Sequence, residues 1–547
     1  MRTPPESGAP ENPAASALPE PAGERPGAPS PRYARYVLAV LILVYVLNFL
    51  DRQIITILAE EIKRDLGVSD SDIGFLYGTA FAVFYAVFGI PLGRLGDVWS
   101  RRSLIAAGLG LWSMMTALSG LARSFGQLAA ARIGVGIGEA SATPAAFSML
   151  SDSFPPWARA TVLALYSSGI YIGAGLGLFI GGQIVERWND AYAGGGAPAG
   201  LAGWQVAFLA VGLPGLLLAL WVRTLREPLR GAVDGIHTPE EPHPFREALL
   251  ELRSVLPPLT LFHLWRVGAG PRGLLVNLLA AGALAVGAAL LIAWTGSTLQ
   301  WCALAIGVYA SVSWVQGLAL RDRTSASLIL GSPALRWSCL GFSFLAFTGY
   351  GLGGWTPVFF LRVHGASSGE VGTIVGLTSA VAGFVGVTLG GTLADRLRRR
   401  SRNGRLHVGL LTASLPVLPA LWLLTTESAT LAYALNFPVS VGASMWIGAG
   451  ASTVQDLVLP RMRGLASAFY LLIITFVGLA LGPYTIGQLS DSLGDLALAM
   501  RLGLLANVAA AVFLLAASRH LARDEATLLA RARAAGEPGL DDAPTGR

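Results

Sequence analysis

The chain has 547 residues, of which 53% are hydrophobic and only 13% charged, with a mean hydropathy of +0.58. A soluble domain carries about twice that charged fraction, so the composition is that of a protein crossing a membrane many times. The net charge is +6, but the basic residues sit in short loops, which reads as topology and excludes a nucleic-acid surface.

Cys302 and Cys339 lie in separate apolar runs, leaving no disulfide framework and no Cys-x-x-Cys metal site. Lys63 is the only lysine and follows Ile62, so there is no Gly-Lys-Ser/Thr phosphate loop. No cofactor is expected. Arginine in place of lysine, with much Ala, Gly and Leu, matches a GC-rich bacterial genome.

Residues 1–31 are rich in Pro, Ala, Gly and Glu without an apolar core, and are expected to be a disordered tail, not a signal peptide. A membrane span needs about 20 apolar residues. Six runs qualify first, at 36–58, 73–95, 103–121, 128–150, 158–185 and 204–225. A pair follows at 273–294 and 299–320, then six more at 337–361, 371–393, 408–424, 431–457, 465–489 and 496–517, giving fourteen. Arginines alternate between loops, which puts both termini in the cytoplasm. Residues 244–256 form an amphipathic helix candidate in the linker between halves.

The chain repeats itself. "GRLGDVWSRRS" from Gly93 matches "GTLADRLRRRS" from Gly391, and "SDSFPPWARATVLALY" from Ser151 matches "QDLVLPRMRGLASAFY" from Gln455. The expected fold is an all-α polytopic membrane protein of two pseudo-symmetric six-helix bundles with an inserted two-helix hairpin. Its parts are a tail at 1–31, a bundle at 32–227, a linker at 228–272, the hairpin at 273–320, a linker at 321–336, a bundle at 337–518 and a tail at 519–547.

The first span contains "YVLNFLDRQIIT", with Asp51 and Arg52 side by side in an apolar run. Each charge costs roughly 2.5–3.5 kcal/mol at the centre of a membrane helix, so each needs a partner. The fourth span offers Arg132 and Glu139, seven residues apart and on one face. Asp51 lies about 22 Å in from Tyr36, and Glu139 about 10 Å deeper than Arg132. The expected pairs are Asp51 with Arg132 and Arg52 with Glu139. Asn48 stands one turn before Arg52. A network that only holds two helices together is the plainer alternative. Intramembrane acids more often mark ion or substrate pathways, so Glu139 and Asp51 are the candidate proton carriers. The histidines lie outside the spans or at their edges.

The glycines Gly169, Gly173, Gly177 and Gly181 recur every fourth residue and predict close helix packing. Gly134, Gly136 and Gly138 follow no strand, so a dinucleotide loop is excluded.

The motif Gly93, Leu95, Asp97, Arg101, Arg102, with its second copy Gly391, Leu393, Asp395, Arg396, resembles motif A of the major facilitator superfamily. Such an acid can pair with a loop arginine or face a neighbouring helix N-terminus, latching one half to the other. "YVLNFLDRQI", "RIGVGIGEASATPAAFSMLSD" and "GGWTPVFFLRVHG" resemble the Spinster family of that superfamily.

The resemblance implies a secondary transporter of lysolipid-like amphiphiles or organic anions. Tyr166, Tyr350, Trp355, Trp446 and Tyr470 are the candidate cavity wall, and Arg52 or Arg132 the headgroup ligand. The expected partners are the substrate, protons and membrane lipids, acting on a monomer in a bacterial inner membrane. A sugar acid, aromatic acid or drug as substrate, or a non-transporting sensor or scaffold, are the alternatives.

Overall fold

The computed structural model describes residues 29–231, 233 and 242–537. Almost all of the predicted N-terminal tail and the last ten residues of the C-terminal tail lie outside the described residues. Every regular element among the described residues is a helix.

The first half contains α1 (Pro31–Leu66), α2 (Asp70–Tyr77), α3 (Thr79–Val98), α4 (Arg101–Ser119), α5 (Phe125–Glu139), α6 (Ala142–Ser151), α7 (Pro156–Ser167), α8 (Gly169–Ala191) and α9 (Gly203–Arg223). The connecting region contains α10 (Pro244–Val255), α11 (Leu259–Arg266), α12 (Gly270–Thr295), α13 (Thr298–Arg321) and α14 (Arg323–Leu330). The second half contains α15 (Pro333–Val363), α16 (Ser368–Arg400), α17 (Gly404–Ser414), α18 (Val417–Leu423), α19 (Ala429–Ser444), α20 (Trp446–Asp456), α21 (Arg463–Ile473), α22 (Leu481–Leu493), α23 (Leu496–Gly503), α24 (Ala506–Ala526) and α25 (Leu528–Ala534).

Eleven helical stretches among the described residues are long and apolar enough to cross a membrane. Three predicted spans fall short of that measure. The run at 103–121 is α4, which has 19 residues and opens on Arg101 and Arg102. The runs at 128–150 and 431–457 are each broken, between α5 and α6 and between α19 and α20. The first break has a local cause. Pro144 has no N–H for the carbonyl of Ala140, and the Ser141 hydroxyl bonds back to the Gly138 carbonyl at 2.8 Å. A π-helical turn at Ile474–Ala480 precedes α22, where Pro483 likewise removes a donor. The carbonyl of Ala480 there accepts from Thr79 Oγ1 at 2.9 Å, so the other half satisfies it.

The glycine stripe packs as its spacing predicts. A Cβ on Gly173 would lie 2.2 Å from the Val46 carbonyl oxygen, and one on Gly177 2.8 Å from that of Leu50. Only glycine lets α8 lie this close to α1. The opposite face of α8 meets α16, with Gly175 against Gly376 and Gly182 against Ser368 and Gly372.

The repeat is visible in the charges. Buried Arg101 pairs with Asp152 and, at 2.8 Å, with Glu227. Arg405 pairs with Asp456, and Arg398 with Glu525 at 2.8 Å. Arg405 and Asp456 follow Arg101 and Asp152 by the same 304 residues. The structural counterpart of Arg101 is therefore Arg405, beyond the arginines that the motif comparison aligned with it.

The start of α1 and the end of α9 meet at one end of the molecule, where Tyr33 Oη accepts from the Arg226 N–H at 2.7 Å. The C-terminal helices share that end, through Arg461 bonded to Asp322 and Glu537. It is called the terminus end below, and the opposite one the far end. α10 does not lie free. Its Phe245 ring packs 5.0 Å from Trp99, and Leu252 and Val255 join the apolar cluster of α3.

Candidate functional site

The helix α1 is capped by the Ser30 side chain at its start and by Gly67 in the left-handed conformation at its end. Its 36 residues make a rod of about 54 Å, so Asp51 and Arg52 fall near its middle. Both are buried. On the facing helix, a Cβ on Gly136 would lie 2.5 Å from the Phe81 carbonyl oxygen. This close approach of α5 to α3 brings Arg132 and Glu139, both wholly buried, against the charges of α1.

Arg52 Nη2 donates to Glu139 Oε2 at 2.7 Å. The other expected contact takes a different form. Arg132 Nη1 donates to the backbone oxygen of Asp51 at 3.2 Å, not to its carboxylate. Among the described residues, neither carboxylate oxygen of Asp51 has a hydrogen-bond partner, nor do Arg132 Nε and Nη2 or Glu139 Oε1. Thr116 and Trp112 of α4 point at Asp51 but stand outside hydrogen-bonding geometry, and both keep unpartnered polar atoms. Asn48 stands beside Glu139.

Aromatic rings hold the guanidinium groups. Arg52 Cζ lies 4.2 Å from the Phe81 ring centre, 4.6 Å from Phe49 and 5.4 Å from Tyr85, and Arg132 lies 5.9 Å from Phe81. Such contacts strengthen as water is excluded. Sequence reading missed Phe81, Tyr85, Trp112 and Thr116. Nothing in their spacing distinguishes them from ordinary packing residues.

The predicted wall residues separate. Tyr350 is half-buried and packs against the apolar clusters of both halves. Tyr166 stacks on Tyr45 at 4.3 Å with its hydroxyl unpartnered. Tyr470 meets Phe342 edge-on at 6.4 Å, and its hydroxyl is likewise unpartnered. Trp446 stacks on Phe342 inside the second half. Trp355 differs from the expectation. Its indole N–H donates to the Pro483 carbonyl at 2.9 Å, and its side chain is only 2% exposed, so it is packing in the seam between halves.

At the terminus end, Asp97 is exposed and makes no hydrogen bond or close ion pair among the described residues, with Arg94 and Arg230 the nearest charges. Asp395 and Arg396 are also exposed. Gly93 and Gly391 face open space. Arg102 instead ties the loop inward, through the Leu225 carbonyl at 2.6 Å. Burial raises the carboxyl of Glu227, yet the bonds from Arg101 and the Arg102 N–H hold it below its ordinary value.

The far end carries a second ionic cluster, which sequence reading missed entirely. Arg362 of α15 grips Asp70 of α2 with both Nη atoms at 2.8 Å and reaches Glu60 at 2.5 Å. Lys63 also pairs with Asp70, and Ser490 donates to it at 2.6 Å. The Asp491 carboxylate accepts the N–H groups of Asp70 and Ser71 at 2.9 and 2.7 Å, at the N-terminus of α2. The halves are thus joined by charge at the far end.

Two helical halves around a buried set of paired and unpaired charges define a membrane transporter of the alternating-bundle class. The chain belongs to the Major Facilitator Superfamily, whose profile matches residues 41–483. It is 30% identical over 469 residues to an MFS-type efflux pump of Mycolicibacterium smegmatis, covering 85% of this chain and 86% of that protein. It is 26% identical to human protein spinster homolog 1, covering 85% of this chain and 74% of the relative. A crystal structure of a bacterial homolog of the human lysosomal transporter Spinster, inward-facing and unoccupied, superposes with a TM-score of 0.65. It has 27% identity and covers 92% of this chain and 99% of that one. The chain is therefore a non-enzymatic transporter related to the Spinster proteins.

Proposed function

We propose that the chain is a proton-coupled secondary transporter of an amphiphilic, lysolipid-like or organic-anion substrate, working as a monomer in a bacterial inner membrane. The observation that carries this reading is the Arg52–Glu139 pair at 2.7 Å, buried beside the unpartnered carboxylate of Asp51. A charged carboxylate without a partner there costs several kcal/mol, so the cluster holds its charges only in pairs or with a bound proton. Protonation of Glu139 releases Arg52, whose guanidinium then meets an anionic headgroup. Asp51, whose carboxylate has no hydrogen-bond partner among the described residues, shares the proton load. Tyr350, which touches both halves, and Tyr166 line the route of the apolar part.

The arginine-rich terminus end faces the cytoplasm. Charge pairs close the far end while Asp97 is free at the terminus end, so the conformation is the inward-facing one. Fourteen helices cross the bilayer, with α4, α5–α6 and α19–α20 as the three that fall short on length and apolarity. The Asp97 and Asp395 motifs latch the terminus end when the halves rock the other way.

Purified protein in liposomes, given a pH gradient and candidate lysolipids or organic anions, tests the reading. Uptake or efflux that collapses with the gradient supports it; flux indifferent to the gradient overturns it. A second reading, drug efflux, is favoured by the 30% identity to an efflux pump, and the same assay with cationic and neutral drugs decides it.

A further inference from the structure

The inserted hairpin touches both halves. At its far-end tip, Ser297 Oγ lies 3.4 Å from Gln488 Oε1 of α22, and Trp301 meets Tyr484 edge-on at 5.5 Å. Midway along α13 stands Gly307. A Cβ there would lie 2.7 Å from Val83 of α3 and 2.8 Å from Phe476 of the π-helical turn. One glycine is wedged against the two halves at once. Nearer the terminus end, Ala310 and Trp314 form a single apolar cluster with Val83, Ala86 and Val87 of α3 and Leu472 and Phe476 of the second half. α10 continues the cover, where Arg321 pairs with Glu251 at 3.0 Å and Arg94 with Glu247 at 3.5 Å. From Ser297 to Trp314 the contact runs about 25 Å, most of the roughly 30 Å hydrocarbon thickness.

The hairpin is also fixed internally. Buried Asn277 of α12 donates to Ser313 Oγ and Gln316 Oε1, both at 3.0 Å, and accepts from Tyr309 Oη at 2.7 Å. Tyr309 Oη in turn accepts from Thr260 of α11 at 3.2 Å. These bonds bind α11, α12 and α13 into one body.

The other seam, between α8 and α16, has no such cover among the described residues. α8 and α16 touch at Gly182–Gly372, Gly175–Gly376 and Tyr171–Gly383. Beyond Gly383, towards the terminus end, Gly391 faces open space, and Leu165, Phe384 and Leu389 are 52%, 56% and 49% exposed.

We infer that the α12–α13 hairpin, with α10, is a fixed lateral seal over the α3–α21/α22 seam. It confines sideways exchange between bilayer and transport route to the terminus-end part of the α8–α16 seam, beside Leu165 and Phe384. A transporter of water-soluble solutes needs neither side open to lipid. A transporter of amphiphiles gains direction and selectivity when one of two lateral doors is shut. The inference rests on the amphiphile reading for its purpose, but not for its geometry.

The test is photolabelling of the full chain in nanodiscs containing phosphatidylcholine with a mid-chain diazirine, read by mass spectrometry. No flux is measured, so its result stands whether or not the substrate assignment holds. Wild type should be labelled at Leu290 of α12 and at Leu165 and Phe384, and not at Val83, Val87 or Leu472. The same shielding should persist in Arg362→Gln, which unlocks the far end. Gly307→Trp, which must displace the hairpin, should open Val83 and Leu472 to label. Labelling of Val87 or Leu472 at the level of Leu290 in wild type or Arg362→Gln overturns the seal. So does a folded Gly307→Trp whose seam stays unlabelled. If Gly307→Trp does not fold, the first two proteins decide alone.

Discussion

Arg362 and Asp70, 292 residues apart, meet in a two-pronged contact with both distances at 2.8 Å. One belongs to the second half and the other to the first, so the pair is a bond between bodies. Asp491 reinforces it by accepting the N–H groups at the start of α2. An acid set against a helix N-terminus of the opposite half is the device expected of motif A, here built at the other end of the molecule.

Replacing Arg362 by Gln should therefore open the far end. Loss of charge-assisted bonds of this kind is worth about 1–3 kcal/mol, which moves a two-state balance by roughly 5- to 150-fold. Spin labels at Leu66 and Leu493 should show a longer-distance population grow in Arg362→Gln. An unchanged distance distribution would mean that apolar packing alone closes the seam.

Arg101 and Asp97 should separate stability from switching. Arg101 is wholly buried between Asp152 and Glu227, so Arg101→Ala leaves two acids uncompensated and should cost about 3 kcal/mol. Thermal unfolding in detergent should show a clear drop in Tm. Asp97 makes no close ion pair among the described residues, so Asp97→Asn should leave Tm unchanged and, on the latch proposed above, alter cysteine accessibility from the two sides. Equal Tm losses in both variants would contradict this division.

The same contact sets an acid limit. The carboxyl of Glu227 is held below its ordinary value in the folded protein, so its stabilisation is complete above the unfolded value of about 4.3. It is lost only as pH falls further, through the folded value. Tm contributed by this group should be flat from neutral pH to about 5 and then fall, and Glu227→Gln should remove that acid-side component. A loss that begins near neutrality would place its cause elsewhere.

Asn277→Leu should loosen the hairpin without unfolding the bundle. Interhelical hydrogen bonds in membranes average about 0.6 kcal/mol, and Asn277 makes three, so the cost should be about 1–2 kcal/mol and local. Hydrogen exchange should rise in residues 270–321 and stay constant in α1 and α5. Uniform acceleration would show that the hairpin is part of the global folding unit.

Much of this molecule was legible in the sequence. Apolar runs set the helices, the internal repeat set the two halves, and "LDRQ" against "ARIGVGIGE" set the Arg52–Glu139 contact, because uncompensated charges in a membrane must find one another. The breaks at Ala140 and in the π-helical turn followed from Pro144 and Pro483, but a hydropathy pattern does not register a missing N–H. The Arg362–Asp70 lock was illegible, since its partners sit at span ends where charges are ordinary and no spacing links them. The role of Arg405 was not visible in the repeated motif, because α16 runs past that motif to Arg400 and the counterpart of Arg101 comes further along the chain. Asp51 took the backbone contact with Arg132 because side-chain reach, not helical register, decides which oxygen is met.

The central claim is that Glu139 alternates between its Arg52 pair and a proton. Flux driven by a pH gradient in liposomes, compared for wild type, Glu139→Gln and Asp51→Asn at matched protein density, tests it most directly. Glu139→Gln mimics the protonated side chain permanently and should fold and still bind substrate. The account predicts that it loses gradient-driven flux by about 100-fold or more, as expected for removal of an essential proton-transfer group, with Asp51→Asn impaired as well. Gradient-driven flux in Glu139→Gln with the wild-type rate and pH dependence would contradict the account and leave Asp51 as the carrier.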